Sequence, residues 1–156
     1  MGFFDFLKKQ PPKINFNLEL KTEFKEDDVI DTSWDIDILN KKKEEALGKK
    51  DYGRASQILF LIARKLYEKG ENHIEAASES IRLSLLSILE KPFGEKKVKI
   101  ITALDKSCSN CRKLHGKTLT VDKALKLNLL PCKKCKHEIN PKTKLGWCRC
   151  VYVETI

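Results

Sequence analysis

The chain has 156 residues, of which 41% are apolar and 34% charged, and its formal net charge is +9. That length supports one modest core, or a small helical unit beside a smaller metal-stapled one, and the longest apolar run, Ile58 to Ala63, is far too short to cross a bilayer. No basic segment precedes Phe3, Phe4, Phe6 and Leu7 and no cleavage site follows them, so no secretory signal is expected. A cytoplasmic location, with reduced thiols and no membrane partner, is the expectation. The charge is uneven: residues 1–91 carry 16 Lys and Arg against 17 Asp and Glu, and residues 92–156 carry 15 against 5.

Taken in chain order, residues 1–35 read as a flexible arm and linker. Ile14, Phe16, Leu18 and Leu20 alternate with polar residues, which predicts a half-buried strand over 14–20. Between Glu19 and Asp37 eight acidic residues face only Lys21 and Lys25, the pattern of a solvated linker or of a cover for the basic half.

Residues 36–91 read as helices. The first runs from about Ile36 to Leu47 and closes at Gly48. Asp51 caps a second, with the stripe Ala55, Ile58, Leu59, Ile62 and Leu66, ending near Gly70. Asn72 with Glu75 forms a capping pair for a third, whose stripe is Ile74, Ala77, Ile81, Leu85 and Ile88. Such short connections predict antiparallel neighbours. The stretch Ala46-Leu47-Gly48 to Asp51-Tyr52 and Ala55 resembles the inter-helix region of a tetratricopeptide repeat, which implies a helical hairpin unit packed in that manner.

Pro92-Phe93-Gly94 breaks the third helix and opens a basic module over 92–156. Strands are predicted at Val98–Ile101, at Thr118–Val121 and at Cys148–Val153, with a short helix capped by Asp122 after the second. The module holds all six cysteines: Cys108-x2-Cys111, Cys132-x2-Cys135 and Cys148-x-Cys150. Two CxxC turns separated by 20 residues fit a single tetrahedral zinc, because each turn presents two thiolates to one ion. The third pair complicates the ligand set. In an extended strand the α-carbons of Cys148 and Cys150 stand about 6–7 Å apart, so both reach one ion only where the chain bends. Three arrangements follow. One ion uses both CxxC pairs. Alternatively, one ion uses Cys108 and Cys111 with one cysteine from each later group. Or two ions bind, with His137 and His115 completing the shell. The fold class predicted is α+β, a helical hairpin unit followed by a zinc-stapled ββα-type module.

Residues 104–122, together with Cys148-Arg149-Cys150, resemble the C-terminal segment of phage head-morphogenesis (minor head) proteins. Cys108, Cys111, Gly116, Lys117, Asp122, Cys148, Arg149 and Cys150 match that pattern. Leu145 and Gly146 stand where the family has a histidine and a proline. The resemblance covers about 45 residues, implies a zinc fold of phage or mobile-element origin, and favours Cys108, Cys111, Cys135 and either Cys148 or Cys150 as ligands.

An enzyme reading is available on the same residues. His73-Ile74-Glu75 and Pro131-Cys132-Lys133-Lys134-Cys135 match the letters of zinc nucleobase deaminases, in which one His and two Cys hold the ion. The intervening helix, Pro-Gly break and additional CxxC argue against it, and His73 reads as an exposed residue at a helix start. Lys133, Lys134, Lys136, Lys142, Lys144 and Arg149 crowd the later cysteines, with Trp147 and Tyr152 as stacking or core residues, so nucleic acid is the rival partner class. The expectation is a non-enzymatic, zinc-binding adaptor module with a protein partner, its zinc structural.

Overall fold

In the computed structural model, residues 30–92, 94–103 and 107–155 are described, and Asp31–Ile156 forms one compact unit. The expected strand at 14–20 and most of the acidic stretch lie outside the described residues. The architecture is mixed α+β, with helices packed on a three-stranded antiparallel sheet. Among the described residues, no helix is long and apolar enough to cross a membrane.

Helix α1 (Ile36–Gly48) is capped by Asp35, whose side chain accepts from the Ile38 N–H at 2.9 Å. Gly48 is its last helical residue rather than its cap, and the left-handed position falls on Lys50. Helix α2 (Tyr52–Lys69) starts at Asp51, which accepts from the Arg54 N–H at 2.9 Å, and stops at left-handed Gly70. Helix α3 (Ile74–Leu89) begins one residue later than the capping pair implies. The N-cap position is His73, which makes no side-chain cap bond, while Asn72 accepts from the Ile74 N–H at 3.1 Å.

Helix α2 packs against both α1 and α3. The α2–α3 contact is closed by two small residues: each of Ser56 and Ser80 donates its hydroxyl to the other's backbone carbonyl at 2.8 Å. Both are buried, and the reciprocal bonds satisfy hydroxyls that would otherwise lose solvation at no gain. Helix α3 is covered on two sides. Ser80 and Leu83 are buried along with Leu85 and Ile88, so its apolar surface is wider than the single expected stripe.

Strand β1 (Lys97–Ile101) is the centre of the sheet, between β2 (Thr118–Thr120) and β3 (Val151–Thr155), in the order β2-β1-β3. Its register pairs Val98 with Leu119 and Glu154, and Ile100 with Tyr152. A one-turn helix α4 (Ser109–Arg112) sits between β1 and β2. Helix α5 (Val121–Leu127) follows β2 directly, and its N-cap is Thr120, which accepts from Lys123, rather than Asp122. Asp122 instead lies in the first turn, where a carboxylate suits the helix dipole.

Among the described residues, two buried clusters join α3 to the sheet and the thiols. The first joins Leu85 and Ile88 of α3 to Val98, Val121 and Ala124, and so spans the Pro92–Gly94 break. The second surrounds Ile100 and Leu130 with Cys111, Cys135 and Cys150, and Tyr152 packs against both. The thiols are therefore part of a core.

Candidate metal centre

Cys108 precedes α4, which turns Cys111 inward until its residue is 2% exposed. Cys132 and Cys135 follow Leu130, and the Cys135 N–H donates to the Cys132 carbonyl at 2.9 Å to close a tight turn. Cys148 and Cys150 lie in irregular chain immediately before β3, so the strand expected from residue 148 starts only at Val151. That irregularity removes the objection to both cysteines serving one site. All six thiols are free.

The sulfurs form two groups that share Cys111. One is Cys108, Cys111 and Cys135, the other Cys111, Cys148 and Cys150, and within each group every sulfur lies within 4.8 Å of the others. The Cys111 sulfur is 3.7 Å from that of Cys135 and 3.9 Å from that of Cys148. Four thiolates bound at roughly 2.3 Å around a tetrahedral zinc stand about 3.8 Å from one another. These thiols thus fit a metal ion of that size.

Cys132 belongs to neither group. It is half-buried against the second cluster, and its N–H donates to the Cys148 sulfur at 3.3 Å. The second CxxC turn therefore supplies one clustered sulfur and one amide donor, where the plain ribbon reading has two ligands. Neither His115 nor His137 joins a group. His115 Nδ1 lies 3.2 Å from the Thr102 amide nitrogen and from its hydroxyl, and His137 Nε2 lies 3.5 Å from Glu138.

Electrostatics single out Cys148. Hydrogen bonds from the Cys135 and Cys150 thiols, joined by the Cys132 amide, hold Cys148 far below the usual thiol range. Donating to Cys148, and then burial, raise Cys135 and Cys150. Burial pushes Cys111 up to about 12. Burial also works upward at Cys108, but amide hydrogen bonds from Lys136, Cys111 and Asn110 outweigh it and bring that thiol down to about 7. Cys148, and to a lesser degree Cys108, are thus favoured as thiolates, while burial and donation to Cys148 favour protons on Cys111, Cys135 and Cys150 that a bound cation would displace.

The segment between the second and third cysteine pairs docks on α2. Asn140 is buried; its amide donates to the Tyr67 carbonyl at 2.7 Å, and its oxygen accepts from Lys142 and Thr143 at 2.9 and 3.3 Å. Tyr67 donates its hydroxyl to the Glu138 carbonyl at 2.5 Å. The Lys142 side chain crosses Gly70 and reaches the Lys69 carbonyl at 3.4 Å, a cation at a helix C-terminus. Gly146 has no room for a Cβ, because the Cys135 and His137 backbone carbonyls press against it. Sequence reasoning missed this docking; Asn140-Pro141 is the turn signal that pointed to it.

His73 corrects another expectation. It is 1% exposed, with its ring 5.2 Å from Tyr67 and 5.3 Å from Trp147. Neither it nor Glu75 belongs to a thiol group, so the deaminase-like letters are not assembled into one site. Trp147 is 5% exposed inside the same cluster, where Phe60 and Arg64 also contact its ring. It is a core residue, unavailable for stacking on a base. Of the six basic residues around the later cysteines, Lys142 is engaged with α2 and Arg149 pairs with Glu138, while Lys133, Lys134, Lys136 and Lys144 are exposed.

No family model, curated protein or solved structure matches the chain.

Proposed function

We propose that this chain is a non-enzymatic binding or adaptor protein whose C-terminal half is held together by a structural zinc ion. The observation that supports the metal is the hub at Cys111, with neighbours at 3.7 and 3.9 Å, the spacing of a tetrahedral thiolate shell. Soft thiolates in that geometry favour zinc over harder cations. Five of the six sulfurs fall in the two groups that share Cys111, and a shell closed by four thiolates leaves no place for a substrate or a reactive water. When bound, the ion supplies cross-linking, and it ties the segment before β3 back to α4. The resemblance of residues 104–122 and 148–150 to phage head-morphogenesis proteins is consistent with that role and suggests an origin in a phage or mobile element.

For the adaptor role, a groove of about 520 Å³ runs beside α3. Leu59, Ile62, Leu66, Ile81 and Leu85 line it, with Lys43 and Arg82 among its polar residues, a surface suited to an apolar segment of a protein partner. A second reading, nucleic-acid binding, is favoured by the exposed Lys133, Lys134, Lys136 and Lys144.

Metal analysis of the full chain, followed by chelation and hydrogen exchange, tests the primary reading. One zinc per chain is expected. Removing it should speed exchange over residues 107–116 and 128–150 while α2 and α3 stay protected. A protein purified without zinc, whose exchange is indifferent to added zinc or chelator, would sink the reading.

A further inference from the structure

The clustered sulfurs gather as two triads that meet at Cys111. Among the described residues, no four of them all lie within 4.8 Å of one another; the largest sets are Cys108, Cys111 and Cys135, and Cys111, Cys148 and Cys150. Each triad has the spacing of a thiolate-bound ion. Cys111 stands 3.7 Å from Cys135 in the first and 3.9 Å from Cys148 in the second, against about 3.8 Å between thiolates on a tetrahedral zinc. The triads also join different parts of the chain. The first connects α4 to the turn after Leu130, and the second connects α4 to the irregular segment before β3. Cys111, Cys135 and Cys150 are buried, so thiolate charge there needs a cation beside it rather than solvent. One divalent ion offsets two of five thiolate charges; two ions offset four.

We propose that these thiols form a two-ion centre for soft divalent metal, with one ion in each triad and the Cys111 sulfur bridging the two. This rests on the structural-zinc reading, whose single ion is the first to load. A thiolate sulfur has lone pairs enough to bind two ions at once, which the shared Cys111 requires. The second ion enters the remaining triad when metal is in excess, because two divalent ions on one thiolate repel each other and divide its donor strength. Each thiol that binds gives its proton to solvent. Three sulfurs leave each ion one further position, which water fills. Thiolate donors select soft ions, so zinc is the expected occupant and cadmium its spectroscopic stand-in.

Metal loading of the full chain as purified tests this without any substitution. Native mass spectrometry under reducing conditions, with zinc added in excess, should find two ions on each chain. Replacing them with an NMR-active cadmium isotope should give two cadmium signals, each split by the other through the Cys111 sulfur. A chain that stops at one ion under saturating zinc overturns the proposal, and so do two signals without mutual splitting. Variants locate the ions. Cys108→Ser and Cys150→Ser should each fall from two ions to one, because each leaves one triad intact. Two ions retained by either variant would place the second ion elsewhere and overturn the centre. The wild-type measurements decide the matter whether or not a variant folds. A wild-type chain that holds no zinc at all refutes the structural-zinc reading itself, whereas one tightly held zinc with no second overturns only the two-ion centre.

Discussion

His73 is the residue whose environment departs furthest from its chemistry. Its ring is packed between Tyr67 and Trp147, and its Nδ1 has no hydrogen-bond partner among the described residues. Burial lowers its pKa from the ordinary 6.5, and a hydrogen bond donated by the ring to the Gly146 backbone carbonyl offsets this only in part. Arg64 lies over the Tyr67 and Trp147 rings and adds no anion that would stabilise a protonated imidazole. With the folded pKa depressed, the unfolded chain binds the proton first. Stability is therefore complete above about pH 6.5 and is lost as pH falls through that value towards the folded pKa. Zinc thiolates are also acid-sensitive, so the informative quantity is a difference. The melting temperature of the zinc-loaded chain should fall more steeply between about pH 7 and pH 5 than that of His73→Phe. Parallel curves for the two proteins would show that His73 does not govern this window.

At the scale of elements, the docking of residues 137–147 on α2 links the thiol cluster to the helices. Short hydrogen bonds within the segment join the Asn140 N–H to Leu145 and the Trp147 N–H to His137, at 2.9 and 2.8 Å. Asn140 then connects this loop to the end of α2, while Gly146 lets the backbone approach the Cys135 turn. Asn140→Ala removes one bond to Tyr67 and leaves the Lys142 and Thr143 amides without their acceptor. A loss of about 2 kcal/mol is expected in urea unfolding of the zinc-loaded protein, against about 1 kcal/mol for Tyr67→Phe. A change under about 0.5 kcal/mol for Asn140→Ala would mean that water replaces those bonds at no cost. The Ser56–Ser80 contact acts in the same way between α2 and α3, where small side chains permit close approach and their hydroxyls satisfy each other's backbone.

For the whole molecule, charge separates from architecture. The basic excess of residues 92–156 surrounds thiols that would carry a net negative charge around a divalent ion, and part of it is spent on internal pairs such as Arg149–Glu138 and Lys97–Glu95. Lys133, Lys134, Lys136 and Lys144 are left on the outer surface near the cysteines. If these four contact phosphates, binding to a duplex should weaken on the order of 100-fold between about 50 and 200 mM salt. Fluorescence anisotropy with a labelled oligonucleotide at several salt concentrations measures this. A flat salt dependence, or no binding at low salt, removes nucleic acid as the partner and leaves a protein contact at the α3 groove.

The local elements were legible in the residues themselves. Asp51 and Gly70 bracket α2 as their chemistry dictates, and the apolar alternation around Val98 and Ile100 becomes β1. The caps of α3 and α5 shifted by one or two residues: Asn72 accepts from the Ile74 amide from one position before the N-cap, and Thr120 rather than Asp122 accepts from Lys123. The cysteine spacing likewise announced a metal-sized cluster. Spacing could not rank six sulfurs, since that ranking depends on distances across the chain rather than along it. Only the tertiary structure placed Cys111 at the hub, set Cys132 aside as an amide donor, and broke the strand before Val151 so that Cys148 and Cys150 share a group. It alone buried His73 and Trp147 together, because that contact requires α2, the start of α3 and the loop before Cys148 to meet. Local propensity set the pieces; packing among distant residues decided which side chains are core and which sulfurs come together.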